Sequence, residues 1–175
     1  MDRENLAGLI ESWENLSLLV KDIGNFPEHL DILMDIALNS SHPNSWRAAW
    51  MADRIHDQHP DLIKPYIPAM IEKLRTESQT GKKRHFLKLV SLSTIPDEFD
   101  SFLINYCLNA MTSDREPPAV RVHAMQTLFN ISEKLPDLKT ELIFVIENEI
   151  EFHPTPGILT RGRKLIGKLQ KQLRS

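Results

Sequence analysis

The sequence predicts an all-α fold: a short solenoid of about four helix pairs behind an N-terminal helical cap. Three observations carry this reading. Four segments align on an arginine, SWRAAWMADRI at Arg47, KKRHFLKLVSL at Arg84, AVRVHAMQTLF at Arg121 and LTRGRKLIGKL at Arg161, at steps of 37, 37 and 40 residues. A proline followed by an acid recurs at Pro27-Glu28, Pro60-Asp61, Pro96-Asp97 and Pro136-Asp137, at steps of 33, 36 and 40 residues. Between the markers the apolar residues keep a helical period, and none of the stretches alternates as a strand would. Two independent markers drifting together at such a period are the mark of a repeat array.

The elements follow in order. Residues 1–26 form the cap, helical over about 3–23 with a break near Asn15; Glu4, Glu11 and Glu14 interrupt its apolar residues. The pairs then occupy 27–59, 60–95, 96–135 and 136–175. Each proline-acid marker opens a first helix, here helix A. Proline is tolerated at a helix start because its missing N–H was unpaired there, and the acid meets the positive end of the dipole. After Pro96 come Phe99, Phe102, Leu103 and Tyr106; after Pro136 come Leu138, Leu142, Ile143, Ile146 and Ile150. These offsets put one face of a helix toward a core. Pro65 and Pro68 should bend the second helix A or delay its regular part until about Tyr66, since each removes a hydrogen bond to the preceding turn. The arginine segments are the second helices, helices B, joined by connectors such as SSHPNS, SQTG, SDREPP and HPTPG. No pair buries both of its faces alone, so the pairs must stack.

Composition narrows the function classes. The chain has 175 residues, 21 Lys+Arg against 24 Asp+Glu for a net charge of −3, and 41% apolar residues, which excludes disordered and collagen-like classes. The single Cys107 has no partner for an internal disulfide, which fits a reducing compartment. The first twenty residues lack the continuous apolar core of a signal peptide, and no segment approaches the ~20 apolar residues of a membrane span. The expectation is a cytoplasmic protein with no membrane partner.

The segments MTSDREPPAVRVHAMQTLFNI and ALNSSHPNSWRAAWMADRI resemble the A-to-B turn and B helix of HEAT repeats. Val120-Arg121 with Ala124 and Leu128 fits best; Trp50 stands where a small residue is usual, and the segments at Arg84 and Arg161 are progressively weaker. The resemblance covers about 27–175 and implies a right-handed α-α superhelix of HEAT-like or armadillo-like pairs. It also implies a structural ladder in which a turn acid holds the next arginine: Glu77 with Arg84, Asp114 with Arg121 and Glu151 with Arg161. Arg47 has Asn39 upstream in place of an acid.

The charge divides by helix type. Helices A carry −9 in sum and helices B +11, with +4 over 80–94 and +6 over 156–175. In HEAT-like stacks the A helices form the convex surface and the B helices the concave one. The resemblance therefore implies an acidic back and a basic groove, strongest toward the C-terminus, whose field favours acidic partners. The binding residues expected there are Trp50, Arg54, Lys83, Lys88, Arg163 and Lys164. Lys82-Lys83-Arg84 opens a helix B with positive charge, which opposes the dipole and calls for a compensating acid or partner.

Chemistry-bearing motifs are sparse. His56 and His59 stand three apart near a helix end with no third ligand signalled, so no metal site is assigned. There is no Gly-rich phosphate loop and no nucleophile elbow; no catalytic residue and no cofactor is expected. Cys107 reads as a core residue. Trp46 and Trp50, one turn apart, either fill the space between repeats or line the groove. The groove reading brings a remote likeness to HEAT-like DNA alkylation-repair glycosylases, which use aromatic residues, a catalytic Asp and an Arg; Asp53 and Arg84 would stand in for the last two, although the Trp-to-Asp spacing departs from that family's. The leading expectation is a non-catalytic protein-interaction scaffold for an acidic protein or peptide segment; nucleic acid is the alternative partner.

Overall fold

The computed structural model describes residues 1–175, and every regular element in it is helical. The α-helices are α1 (Arg3–Ile10), α2 (Leu16–Asn25), α3 (Leu30–Asn39), α4 (Trp46–Gln58), α5 (Pro60–Ile63), α6 (Ile67–Leu74), α7 (Thr80–Ser91), α8 (Asp100–Thr112), α9 (Pro118–Lys134), α10 (Leu138–Phe152) and α11 (Pro156–Leu173). Short 3-10 turns at Trp13–Asn15, Pro27–His29, Lys64–Tyr66 and Asp97–Phe99 precede or interrupt them.

The prolines set these boundaries. Pro60, Pro118 and Pro156 are the first residues of α5, α9 and α11, where the absent N–H leaves nothing unpaired. Between Pro60 and Leu74 the helix breaks into α5, a 3-10 turn containing Pro65 and then α6, whose first turn holds Pro68. The regular part therefore begins at Ile67, as the two prolines predict. At two starts a side chain caps the helix: Asp2 accepts from the Asn5 N–H at 2.9 Å and Thr155 from the Ile158 N–H at 3.2 Å.

The chain divides into two compact units, Met1–Ser93 and Thr94–Ser175. In the N-terminal unit α1 packs on α3 and α3 on α6, while α2 packs on α4 and α4 on α7. The result is two layers, an A layer of α1, α3 and α6 and a B layer of α2, α4 and α7. The N-terminal segment is thus a helix pair that continues both layers. Its core is built from Leu33, Met34, Ala48, Ala52, Ile55, Ile67, Ile71, Phe86 and Val90, all buried. Gly81 lets α7 close onto α4, since a Cβ there would stand 2.9 Å from Trp46 Cβ.

In the C-terminal unit α8 packs on α9, α10 on α9 and α11, and α11 on α9, so α9 and α11 form the B layer. Leu103, Cys107, Met111, Ala124, Leu128, Ile131, Leu142, Ile146, Leu165 and Leu169 are buried. Gly162 has the same role as Gly81: a Cβ there would meet Ile146 Cγ2 and Ile150 Cδ1 at 3.0 Å.

Candidate functional site

In the N-terminal unit the B layer carries an aromatic cluster. Trp13, 51% exposed, lies with its ring centroid 5.9 Å from Trp46 and 5.1 Å from Trp50. Trp46 and Trp50 are both half-buried beneath it. Between core and groove, both indoles are therefore intermediate, neither fully buried nor fully exposed. The Arg47 guanidinium sits 5.6 Å from the Trp13 centroid and that of Arg54 5.4 Å from Trp50, both within cation–π reach. A cleft of about 450 Å³ opens beside the cluster, lined by Ser17, Val20, Trp50, Arg54, Asp57 and Gln58. Trp13 was absent from the sequence-derived set, although it stands 37 residues before Trp50, the same step that separates Arg47 from Arg84.

Lys88 does not serve as a free groove cation. Its Nζ donates to Asp53 Oδ1 at 2.7 Å, and His85 Nδ1 lies 2.9 Å from Asp53 Oδ2. Asp53 is 2% exposed between α4 and α7. Burial alone would raise its carboxyl; the contacts with His85 and Lys88 outweigh burial and hold it below the ordinary range. With both oxygens occupied, Asp53 ties two helices B together and presents no carboxylate to the surface. Lys83 is half-buried on α7, and Arg54 is exposed, 3.5 Å from Asp57.

The arginine ladder is built differently from the expected one. Glu77 does not hold Arg84. Its Oε1 accepts the N–H groups of Ser78 and Gln79 at 3.0 and 2.9 Å, and its Oε2 lies 3.8 Å from Lys82 Nζ. Lys82, 1% exposed, also donates to the Ser40 carbonyl at 2.6 Å, at the C-cap of α3. Burial lowers the Lys82 ammonium's pKa and Glu77 opposes that shift. Two residues along a helix are rotated by about 200°, so Lys82 takes the interior slot while Arg84 points out, exposed. The buried Lys82 contacts supply the compensation that positive charge at this helix start demanded.

Arg121 pairs with Glu149 of α10, not with Asp114, which is exposed. The guanidinium is 4% exposed, donates through Nε to the Met111 carbonyl at 2.9 Å and reaches Glu149 Oε2 at 2.5 Å. The Met111 carbonyl in the last turn of α8 takes the place expected for the turn acid, and the carboxylate comes from the following helix A. Arg161 likewise has no contact with Glu151, which is exposed; it donates to Gln126 Oε1 of α9 at 2.7 Å. Arg47, expected to lack an acid, donates to the carbonyls of Ile10 and Glu11 at 3.0 and 2.6 Å, at the end of α1. Asn39 turns instead to Asp35 at 2.8 Å.

The C-terminal unit places its cations differently. Arg163, Lys164, Lys171 and Arg174 of 156–175 are exposed, and none enters an ion pair. Lys168 Nζ lies 5.6 Å from the Phe129 centroid of α9. This segment contains six cations and no acid. By contrast Lys134, at the end of α9, is committed to Asp97 and Asp100 at 3.0 and 2.7 Å.

Of the remaining candidates, Cys107 is fully buried, and burial pushes its thiol well above the ordinary range. His59 packs its ring against Gly24 of α2 at the end of α4. No helix is long and apolar enough to cross a membrane.

A family model described as a HEAT repeat domain matches residues 3–169. No curated protein matches, and no solved structure does.

Proposed function

Because the chain belongs to the HEAT repeat domain family, a helical scaffold usable for protein interaction, we propose that it is a non-catalytic module that takes an acidic protein segment on α11. The observation that carries this reading is the unbalanced charge of that helix: Arg163, Lys164, Lys171 and Arg174 are exposed and outside every ion pair. Elsewhere Lys82, Lys88, Arg121 and Lys134 each reach a carboxylate within the fold. Like charges three and four residues apart on a helix repel. The dipole favours cations only in the last turn, which accounts for Lys171 and Arg174 but not for Arg163 and Lys164. An acidic partner relieves that repulsion.

The Trp50–Arg54 cleft of the N-terminal unit offers a second contact, where an aromatic face and a guanidinium lie together. Lys83, on α7, is a further proposed contact of the same unit. The buried thiol of Cys107 suits a reducing compartment, and we assign the protein to the cytoplasm.

The test is fluorescence anisotropy with a labelled Glu-rich peptide at about 50 mM salt, comparing the wild-type chain with Arg163→Glu/Lys164→Glu. The reading predicts at least a tenfold loss of affinity with unchanged helicity. Equal affinity removes α11 from the account. Tight binding of a DNA duplex, with log K falling at ~0.9 per phosphate neutralised, would favour nucleic acid over protein.

A further inference from the structure

The glycines of α11 separate into those that the fold explains and one that it does not. A Cβ at Gly157 would meet Val122 Cγ2 at 3.2 Å, and one at Gly162 would meet Ile146 and Ile150. A Cβ at Gly167 would meet nothing within 4 Å. Gly167 lies inside the helix, where glycine is the least favourable residue after proline. Neither packing nor a turn asks for it.

Its position on the helix shows what it faces. At about 100° per residue, Gly167 is nearly opposite the buried ridge of Ile158, Leu165 and Leu169. It is therefore on the outward crest. The residues three and four positions away, its surface neighbours on a helix, are Arg163, Lys164, Gln170 and Lys171, all exposed. Gly167 is thus a gap of bare backbone walled by three cations and an amide.

We infer that Gly167 is the crossing point of an acidic α-helix of the partner protein, whose backbone seats in the gap while its carboxylates reach Arg163, Lys164 and Lys171. This rests on the proposed acidic partner and specifies its form. The floor of the gap offers space and no donors, because backbone N–H groups within a helix are already bonded to the preceding turn. A small anion gains nothing from it, whereas a second helix, with its own backbone groups satisfied, does. Small residues let helix axes come closer than the usual 8–10 Å. A nucleic acid is disfavoured because the whole chain carries −3 and α10, which packs on α11, carries −4 over 136–152. Such a field repels a polyanion that carries one charge per ~1.7 Å of its axis, while a single acidic helix face reads α11 locally.

The experiment uses the full chain and a labelled Ala/Glu-rich helical peptide of about twenty residues. Gly167→Ala and Gly167→Leu are compared with Gly8→Ala, since Gly8 also has open space around it but lacks a ring of cations. A Lys164→Glu/Lys171→Glu chain reports on the charge alone. Filling the gap should raise the melting temperature of the C-terminal unit in Gly167→Ala by about 4–8 °C, as a gained helix former does in a unit of this size. It should weaken peptide binding severalfold in Gly167→Ala and at least tenfold in Gly167→Leu, with Gly8→Ala binding as wild type. If Gly167→Leu binds within twofold of wild type while charge reversal abolishes binding, the crossing point is wrong and the acidic partner stands. If charge reversal changes nothing, or the wild-type chain does not bind the peptide saturably, both fall. A DNA duplex that binds more tightly than the peptide overturns the acidic helix as the occupant.

Discussion

Replacing Arg121 with alanine is the perturbation whose consequence the structure specifies best. The guanidinium joins three elements: it belongs to α9, its Nε satisfies the Met111 carbonyl of α8, and its Nη2 meets the Glu149 carboxylate of α10. Arg121 and Glu149 are 4% and 5% exposed. Removing the arginine leaves Glu149 charged and buried with only His153 Nδ1 at 3.3 Å to turn to, and leaves the Met111 carbonyl without its donor. Stranding one member of a buried pair costs about 3–5 kcal/mol, and an unpaired buried acceptor about 1–3 kcal/mol. The two overlap, so we expect a total near 4 kcal/mol, a large share of a stability of about 5–15 kcal/mol. With an m-value near 2 kcal/mol/M, the urea midpoint of the C-terminal unit should fall by about 2 M. All three tryptophans, Trp13, Trp46 and Trp50, lie in the N-terminal unit. Circular dichroism should therefore show an early loss of helix that tryptophan emission does not follow. Arg121→Met combined with Glu149→Leu should recover most of the loss, because an apolar pair strands no charge. A midpoint for Arg121→Ala within about 0.5 M of wild type, or no recovery in the double variant, would refute the reasoning.

Asp53→Asn should cost about 3 kcal/mol at neutral pH, because it weakens the contacts of the buried His85 and the part-buried Lys88 with a buried carboxylate. His85 and Lys88 hold the Asp53 carboxyl below its unfolded value of about 3.9. Its contribution is therefore fully present above that value and lost as pH falls through the folded one, so the variant and wild type should converge in acid-unfolding curves. Gly162→Ala should destabilise by about 1–3 kcal/mol through contact with Ile146 and Ile150, the opposite sign to Gly167→Ala on the same helix, as thermal melting will show. Trp13→Ala should cost about 1–2 kcal/mol, from two aromatic contacts, and should red-shift the emission of the uncovered Trp46 and Trp50.

The paired-helix architecture was legible because its signals are local and repeated. Pro27, Pro60, Pro96 and Pro136 punctuate the helices A, Pro65 and Pro68 break one of them where they stand, and the arginine segments recur at a fixed step. Partnership was less legible because it depends on helical phase and on distant residues. Lys82 and Arg84 differ by two positions, and that rotation sends one into the interior and the other into solvent. Glu149, the partner of Arg121, lies 28 residues away on another helix, so the nearer Asp114 looked the better candidate. A charge sum over 80–94 cannot register that Lys88 is neutralised by Asp53 from 35 residues upstream. Over 156–175 the sum does report surface charge, because that segment holds no acid to absorb it. Trp13 is harder to read because it lies outside both marker series, in the 3-10 turn ahead of α2, although it stands 37 residues before Trp50.

The most direct test is a backbone amide NMR titration of the isotope-labelled chain with the Glu-rich helical peptide. The account predicts saturable shifts concentrated on α11, around Arg163, Lys164, Gly167 and Lys171, and suppressed by raised salt. Shifts centred on the acidic helices α8 and α10, or none at millimolar peptide, would contradict it.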